Sequence, residues 1–126
     1  MKGLEFVFLA GGSVLGAFIR YKITESQLLL NTLPLNVLIV NVLGAFILGM
    51  FVILSEHWNL DGRYSLLAAV GFCGSLTTMS SFALDSSNLI DNRHYVSLAV
   101  NLLANIGLSI GALIGGKSLM NAILNG

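Results

Sequence analysis

Residues 71–82 hold the groups best suited to chemistry in this chain. The stretch reads GFCGSLTTMSSF, in which five of twelve side chains carry hydroxyls and two residues are glycines. Glycine is about 1 kcal/mol less favourable than alanine inside a helix, and hydroxyls compete for the hydrogen bonds of the backbone. Because the flanking sequence is apolar, we predict a helix that breaks here and turns freed carbonyls and hydroxyls toward something polar.

Polar side chains also interrupt two other apolar segments. Asn41 lies well inside one of them, where a carboxamide either bonds a neighbouring helix or faces water, and its position leaves both open. Asn101, Asn105 and Ser109 recur every four residues, so they share one helical face. Such a polar track can simply hold helices together. Beside a polar break, it favours a water-accessible path through a membrane.

Composition sets the fold class around these residues. The chain has 126 residues, 56% hydrophobic and 10% charged, with a mean hydropathy of +0.87. This excludes a soluble domain and a disordered chain. Four apolar stretches approach the roughly 20 residues that cross a bilayer, at about residues 4–23, 33–54, 65–90 and 95–122. We therefore predict an all-α membrane protein with one domain of four transmembrane helices, the third broken at mid-membrane depth.

Glycines near the end of the chain allow two interpretations. Gly107, Gly111 and Gly115 recur every four residues opposite the polar track, which predicts a seam for close helix packing. Residues 111–118 also match the phosphate-loop pattern G-x-x-x-x-G-K-S, but that loop requires a preceding strand in an α/β unit. Here the pattern ends a membrane helix, so we expect neither a nucleotide nor a nucleic acid as a partner.

Basic residues are divided equally between the two sides of the predicted bundle. They are Lys2, Arg63 and Lys117 on one side, against Arg20, Lys22 and Arg93 on the other. Cytoplasmic loops normally carry an excess of Lys and Arg, so a count of three against three gives no orientation signal. We interpret the balance as dual topology, in which two copies form an antiparallel homodimer with its two-fold axis in the membrane plane.

Three motifs together resemble one known family, the Fluc (CrcB) family of fluoride channels. The resemblance covers the whole chain, and four spans in about 125 residues fit it as well. The motifs are Gly12-Ser13-x-x-Gly16-Ala17-x-x-Arg20-Tyr21, Asn41-Val42-x-Gly44 and Gly71-Phe72-Cys73-Gly74-x-x-Thr77-Thr78-x-Ser80-x-Phe82.

The resemblance implies an assembly and a cofactor. Two antiparallel subunits would enclose two fluoride pores, and a structural sodium ion would lie at the centre of the dimer. The backbone carbonyls of Gly74 and Thr78 from each subunit would hold that ion, and carbonyl oxygens are suitable ligands for a hard cation. The implied function is passive export of fluoride from the cytoplasm across the inner cell membrane by a multi-pass protein.

The resemblance also implies roles for individual side chains. Phe82 would present the positive edge of its ring to an anion, while Met79 stands where the family has a second pore phenylalanine. The remaining pore-lining positions are Asn41, Ser80, Asn105 and Ser109. Arg20 and Asp85 would lie at an aqueous vestibule.

Two other functions stay open at this point. A small multidrug-type proton-coupled exporter also has four spans, but it needs a carboxylate in the membrane interior, and Glu5, Glu56 and Asp85 all lie away from span centres. A non-transporting helper subunit would use its polar groups only for packing. An enzyme is the least expected class, because the sequence offers no nucleophile–base pair and a single cysteine, Cys73.

Overall fold

A computed structural model describes the backbone of residues 2–125 and the side chains of residues 3–125. Helix α1 (Lys2–Thr24) is followed by a short antiparallel hairpin, β1 (Leu29–Leu30) and β2 (Leu33–Pro34). The remaining elements, in chain order, are α2 (Asn36–Trp58), α3 (Gly62–Ser65), a π-helix (Leu66–Cys73), α4 (Gly74–Leu76), α5 (Met79–Asp91) and α6 (Tyr95–Asn125).

Four helical segments are long and apolar enough to cross a membrane. They are Gly3–Thr24, Asn36–Trp58, Gly62–Asp91 and Tyr95–Asn125. The prediction of an all-α chain with four spans is therefore confirmed. The second span begins at Asn36 rather than at residue 33, because Leu33 and Pro34 pair with β1 instead of joining the helix.

The third span is interrupted in its backbone hydrogen bonding. Its first part widens into a π-helix over Leu66–Cys73, and α4 then ends at Leu76. Thr77 and Thr78 are both extended, and the helix resumes at Met79. The Oγ1 atom of Thr78 accepts the N–H of Ser81 at 3.2 Å, which caps the new helix. Two adjacent β-branched threonines favour this extended link.

Glycines on α1 allow it to lie directly against the third span. A Cβ atom on Gly12 would overlap the carbonyl oxygen of Leu67, and one on Gly16 would overlap that of Phe72. Both glycines are buried, as small-residue packing between membrane helices requires. The motif that starts at Gly12 therefore fixes the backbone just before the break.

Helices α2 and α6 also lie directly against each other at two glycines. A Cβ atom on Gly49 would overlap the carbonyl oxygen of Leu113, and one on Gly116 would overlap that of Phe46. The predicted seam of Gly107, Gly111 and Gly115 is wrong as a contact within the described chain, because no other described element comes within 4 Å of a Cβ placed on any of the three. Their face of α6 points outward, and Gly116 alone makes the close contact.

Replacing Gly16 with leucine is expected to destabilise the fold by about 1–3 kcal/mol, the usual effect of overpacking. The new side chain must push α1 away from the backbone of Phe72. Thermal unfolding of the purified protein in detergent measures the effect. Gly3→Leu is the matched control, because no other element among residues 3–125 comes within 4 Å of its Cβ position. Equal unfolding temperatures for the two variants would contradict this account of the contact.

The third span also has a defined start. The carboxylate of Asp61 accepts the backbone N–H of Arg63 at 3.0 Å and forms an ion pair with its guanidinium at 3.3 Å. The backbone hydrogen bond, with the nearby charge, lowers the pKa of Asp61. Because the pKa of Asp61 is lowered, the ionised cap stabilises the fold at neutral pH. This stabilisation is lost only when the pH falls through the lowered pKa and the carboxylate is protonated.

Candidate functional site

Asn41 holds the break in the third span. Its Oδ1 atom accepts the backbone N–H of Thr78 at 2.8 Å, and its Nδ2 atom donates to the carbonyl of Thr78 at 3.3 Å. The carboxamide thus binds both polar groups of one peptide residue from a neighbouring helix. As a result, the Thr78 N–H points to Asn41 rather than to the carbonyl of Gly74, its partner in an unbroken helix.

Arg20 binds the other side of the break. Its Nε atom donates to the carbonyl of Ser75 at 2.9 Å, 55 residues away in sequence. A carbonyl in the last turn of a helix lacks an internal donor, and a cation there also interacts favourably with the helix dipole. Arg20 is half-buried against the break. Its predicted vestibule role stays a prediction, and this contact was not foreseen.

Side-chain hydrogen bonds continue from Asn41 into α6. Asn41 Nδ2 donates to Asn105 Oδ1 at 3.0 Å, and Asn105 Nδ2 donates to both the carbonyl and the Oδ1 atom of Asn101 at 3.0 Å. Asn101 Nδ2 in turn donates to Ser86 Oγ on α5 at 3.1 Å. Asn101 and Asn105 are buried. The first part of the polar track is therefore a connected network that ties three helices together.

This network has a consequence for the predicted role of Asn41. An amide nitrogen carries two hydrogens, and those of Asn41 are directed at Thr78 and Asn105. Asn41 therefore acts first as a support for the break, and a bound anion would have to compete for its hydrogens.

A groove of about 420 Å³ lies between α2, the broken span and α6. It brings together seven of the residues singled out from the sequence: Asn41, Gly74, Thr78, Met79, Phe82, Asn105 and Ser109. The other walls are apolar or small side chains, such as Leu48 and Ala69. Phe82 is buried, whereas Met79 is 74% exposed at the rim. The groove is thus mostly apolar with a few polar groups from the break and from α6.

Ser109 carries an unused hydrogen-bonding group in this groove. Within the described part of the chain, its Oγ atom is buried and has no hydrogen-bond partner. Leaving a buried hydroxyl unpaired is unfavourable by about 1–3 kcal/mol, so native proteins usually supply a partner, either a water or a ligand. Among the groove residues, the Ser109 hydroxyl therefore has the greatest need of a water or a ligand as a hydrogen-bond partner.

Three predicted site residues lie outside the groove as the described residues define it: Ser80, Arg20 and Asp85. Ser80 is exposed, and its Oγ atom lies 3.2 Å from Thr78 Oγ1. Asp85 is half-buried on α5, about two helical turns beyond the break.

Sequence reasoning missed two contacts that shape the site. Thr77 packs its Cγ2 methyl on Gly44, whose missing side chain makes room for it, and its Oγ1 atom donates to the carbonyl of Cys73 at 2.9 Å. Ser86 lies one turn of α5 beyond Phe82 and donates its hydroxyl to the carbonyl of Phe82 at 2.8 Å. Through Asn101 it also belongs to the polar network. The run of hydroxyls in the sequence was the available signal, but it does not assign partners.

Comparison with known proteins decides the family. The profile described as "CrcB-like protein, Camphor Resistance (CrcB)" matches residues 7–117. The chain belongs to the CrcB family. The fluoride-specific ion channel FluC of Nitrosopumilus maritimus is 78% identical over 125 residues, 99% of each chain. The FluC of Koribacter versatilis is 32% identical over 126 residues, covering 94% of this CrcB chain and 97% of the relative.

A third relative extends the same pattern. The FluC of Sulfurihydrogenibium sp. is 37% identical over 108 residues, covering 83% of this CrcB chain and 87% of the relative. The family resemblance inferred from the sequence motifs is thus confirmed. Because these CrcB relatives are named as ion channels, the prediction that the chain is not an enzyme is confirmed as well.

Proposed function

We propose that this chain forms a fluoride-selective channel. The observation that carries the proposal is the 78% identity, over nearly the whole of both chains, to a protein named as a fluoride-specific ion channel. At this identity the groove and the break are expected to be shared. The channel would let fluoride leave the cytoplasm across the inner cell membrane passively, without ATP. This agrees with the position of the phosphate-loop pattern of residues 111–118, which lies within helix α6 and not in a nucleotide-binding loop.

The groove supplies groups suited to a small, strongly hydrated anion. Ser109 has a hydroxyl with no partner among the described residues, and Phe82 can turn a ring edge toward negative charge. Asn41 and Asn105 add amide dipoles at the same depth. The apolar remainder of the wall lowers the local dielectric, which strengthens each of these interactions. Fluoride would exchange part of its water shell for these donors as it passes.

The proposed assembly is an antiparallel homodimer with two pores and with the break at mid-membrane depth. Four observations support it. The groove is open along one side, Met79 projects from its rim, and the glycines at 107, 111 and 115 leave an outward face of α6 free for close packing. The even division of basic residues favours insertion in both orientations. A second copy would then close the open side of each groove.

A structural sodium ion is part of the same proposal, and the residues present fit it. The N–H of Thr78 is directed to Asn41, which frees the carbonyl of Gly74 from its helical partner. Gly74 is exposed and has no side chain to block an approaching ion, and the carbonyl oxygen of Ala69 lies 3.7 Å from its Cβ position. The carbonyl of Thr78 accepts the amide of Asn41 over a long 3.3 Å. When bound, sodium would supply a fixed positive charge.

Replacing Ser109 with alanine is expected to slow fluoride efflux about tenfold, since a hydrogen bond to a charged group contributes roughly 1.5–3 kcal/mol. The same change should leave stability unchanged or raise it, because it removes a buried hydroxyl without a partner. Efflux from liposomes and thermal unfolding measure the two effects. Ser118→Ala is the matched control on an exposed part of α6. A large loss of stability without a loss of flux would reverse our assignment of Ser109.

Growth in fluoride tests the proposed function directly. We would express the chain in a bacterium that lacks its own fluoride exporter and titrate fluoride in the medium. Rescue of growth by the chain, with no rescue from an empty vector, is the expected result. Protein that is present in the membrane at normal levels but gives no rescue would favour the non-transporting helper subunit.

A further inference from the structure

The connection between the first two spans is an ordered apolar hairpin. In the structure β1 and β2 pair Leu29 with Pro34 and Leu30 with Leu33, and the N–H of Leu35 donates to the carbonyl of Leu28 at 2.9 Å. The side chains of Leu28, Leu29 and Leu30 are 47%, 51% and 62% exposed. Three adjacent exposed leucines on a fixed hairpin require an apolar environment.

Asn36 fixes the hairpin to the bundle. This buried asparagine accepts the N–H of Leu28 at 2.8 Å and donates to the carbonyls of Ile23 and Ser26. On the other strand Leu33 is buried, and the hydroxyl of Thr32 bonds that of Ser97. The inner strand is therefore attached to the protein, while the outer strand carries the exposed leucines.

The hairpin lies at the level of an aromatic belt. Ser97 is the third residue of α6, so Thr32 reaches the first turn of that helix. Tyr95 begins the same turn, and Tyr21 lies one turn before the end of α1; both are well exposed. Exposed tyrosines at helix ends are typical of the membrane–water interface. The hairpin therefore sits at the depth of the lipid head groups and the first carbons of the acyl chains.

The geometry also distinguishes lipid from a protein partner. Successive residues of a strand point to opposite faces, so Leu29 lies on one face of the hairpin and Leu30 on the other. A second protein surface would cover one face, whereas lipid surrounds both. The outer edge of β1 leaves backbone groups without strand partners, which the hydrocarbon core cannot satisfy but the interface can.

We propose that the hairpin of residues 28–35 is an interfacial anchor, with Leu28, Leu29 and Leu30 inserted among lipid acyl chains on both sides. The surface it forms is continuous with the membrane-facing surface of the four spans. By fixing the depth of the α1–α2 connection, the anchor holds the entry to α2, the helix that carries Asn41. The proposal does not depend on which ion the chain conducts.

Tryptophan fluorescence tests the anchor. Trp58 is the only tryptophan of the chain, so a Trp58→Phe background accepts one reporter at a time, Leu29→Trp or Leu30→Trp. In phosphatidylcholine liposomes, lipids brominated near the top of the acyl chain are expected to quench the emission of both reporters, because interfacial apolar side chains enter the boundary between head groups and acyl chains. Aqueous iodide should have little effect.

Two control reporters lie at the same end of the bundle as the hairpin. Val96→Trp, on the exposed first turn of α6, should be quenched by brominated lipid, and Asn92→Trp, in the exposed turn after α5, by iodide. Iodide quenching of both hairpin reporters would overturn the proposal by placing the hairpin in water. Protection of one reporter from both quenchers would also overturn it, by indicating a second copy or another protein. Size-exclusion chromatography confirms that each variant is folded, and both positions are about half-exposed, so each can accept a tryptophan without disturbing the core.

Discussion

Replacing Asn41 with aspartate is expected to reduce fluoride efflux about a hundredfold. A carboxylate and an anion about 4 Å apart repel each other by roughly 4 kcal/mol at an effective dielectric constant of about 20. Because every 1.4 kcal/mol corresponds to about a factor of ten, about 2.8 kcal/mol of this repulsion is enough for the expected loss. The new charge would face the groove through which an anion must pass. The substitution also removes the donors to the carbonyl of Thr78 and to Asn105 Oδ1, while keeping an acceptor for the Thr78 N–H.

Two matched variants separate charge from structure. Asn121→Asp places the same charge on an exposed part of α6 and should leave efflux unchanged. Asn41→Leu removes the hydrogen bonds that support the break without adding a charge. The loss of efflux in this variant therefore measures how much of the effect of Asn41→Asp comes from the altered structure. If Asn41→Asp conducts as fast as the parent protein, Asn41 does not face the permeating ion and the groove is not the path.

Removal of sodium is expected to destabilise the assembled protein by about 2.7 kcal/mol, for an ion previously present at a hundred times its dissociation constant. The carbonyls of Gly74 and Thr78 from two subunits would face one another at the dimer centre without a cation between them. Thermal unfolding in sodium chloride, compared with the chloride of a large organic cation at equal ionic strength, measures the change.

The sodium prediction has its own control and its own contrary result. A potassium salt at the same concentration separates a specific site from general ionic strength, because a site of fixed carbonyls distinguishes ions by size and number of ligands. Identical unfolding curves in all three salts would rule out a structural sodium ion, and would leave the fluoride path to be tested separately.

The sequence was informative wherever a residue type conflicted with its apolar surroundings. The hydroxyls and glycines of residues 71–82 predicted an interruption, and the chain leaves its helix at Thr77 and Thr78. Asn101 and Asn105, spaced by one helical turn, lie together in the interior. These patterns are local, since spacing along a helix determines which face a side chain occupies.

Features that depend on distant partners could not be predicted. The glycine seam of α6 was assigned from its spacing, yet only the fold shows that Gly116, and not Gly111, meets α2. The π-helix over Leu66–Cys73 has no periodic signature of its own, because the wider hydrogen-bonding pattern does not require a different composition. The same holds for Arg20 and Ser75, which are brought together by the packing of α1 on the third span.

Fluoride efflux from liposomes containing the purified protein is the most direct test of the central claim. A fluoride electrode would follow release down a gradient with no added energy, and chloride release from matched liposomes would be the control. Rapid fluoride release without chloride release is the predicted result, and it should be lost with Asn41→Asp. No fluoride release from protein shown to be folded and dimeric would contradict the channel assignment and leave the family relationship as one of fold alone.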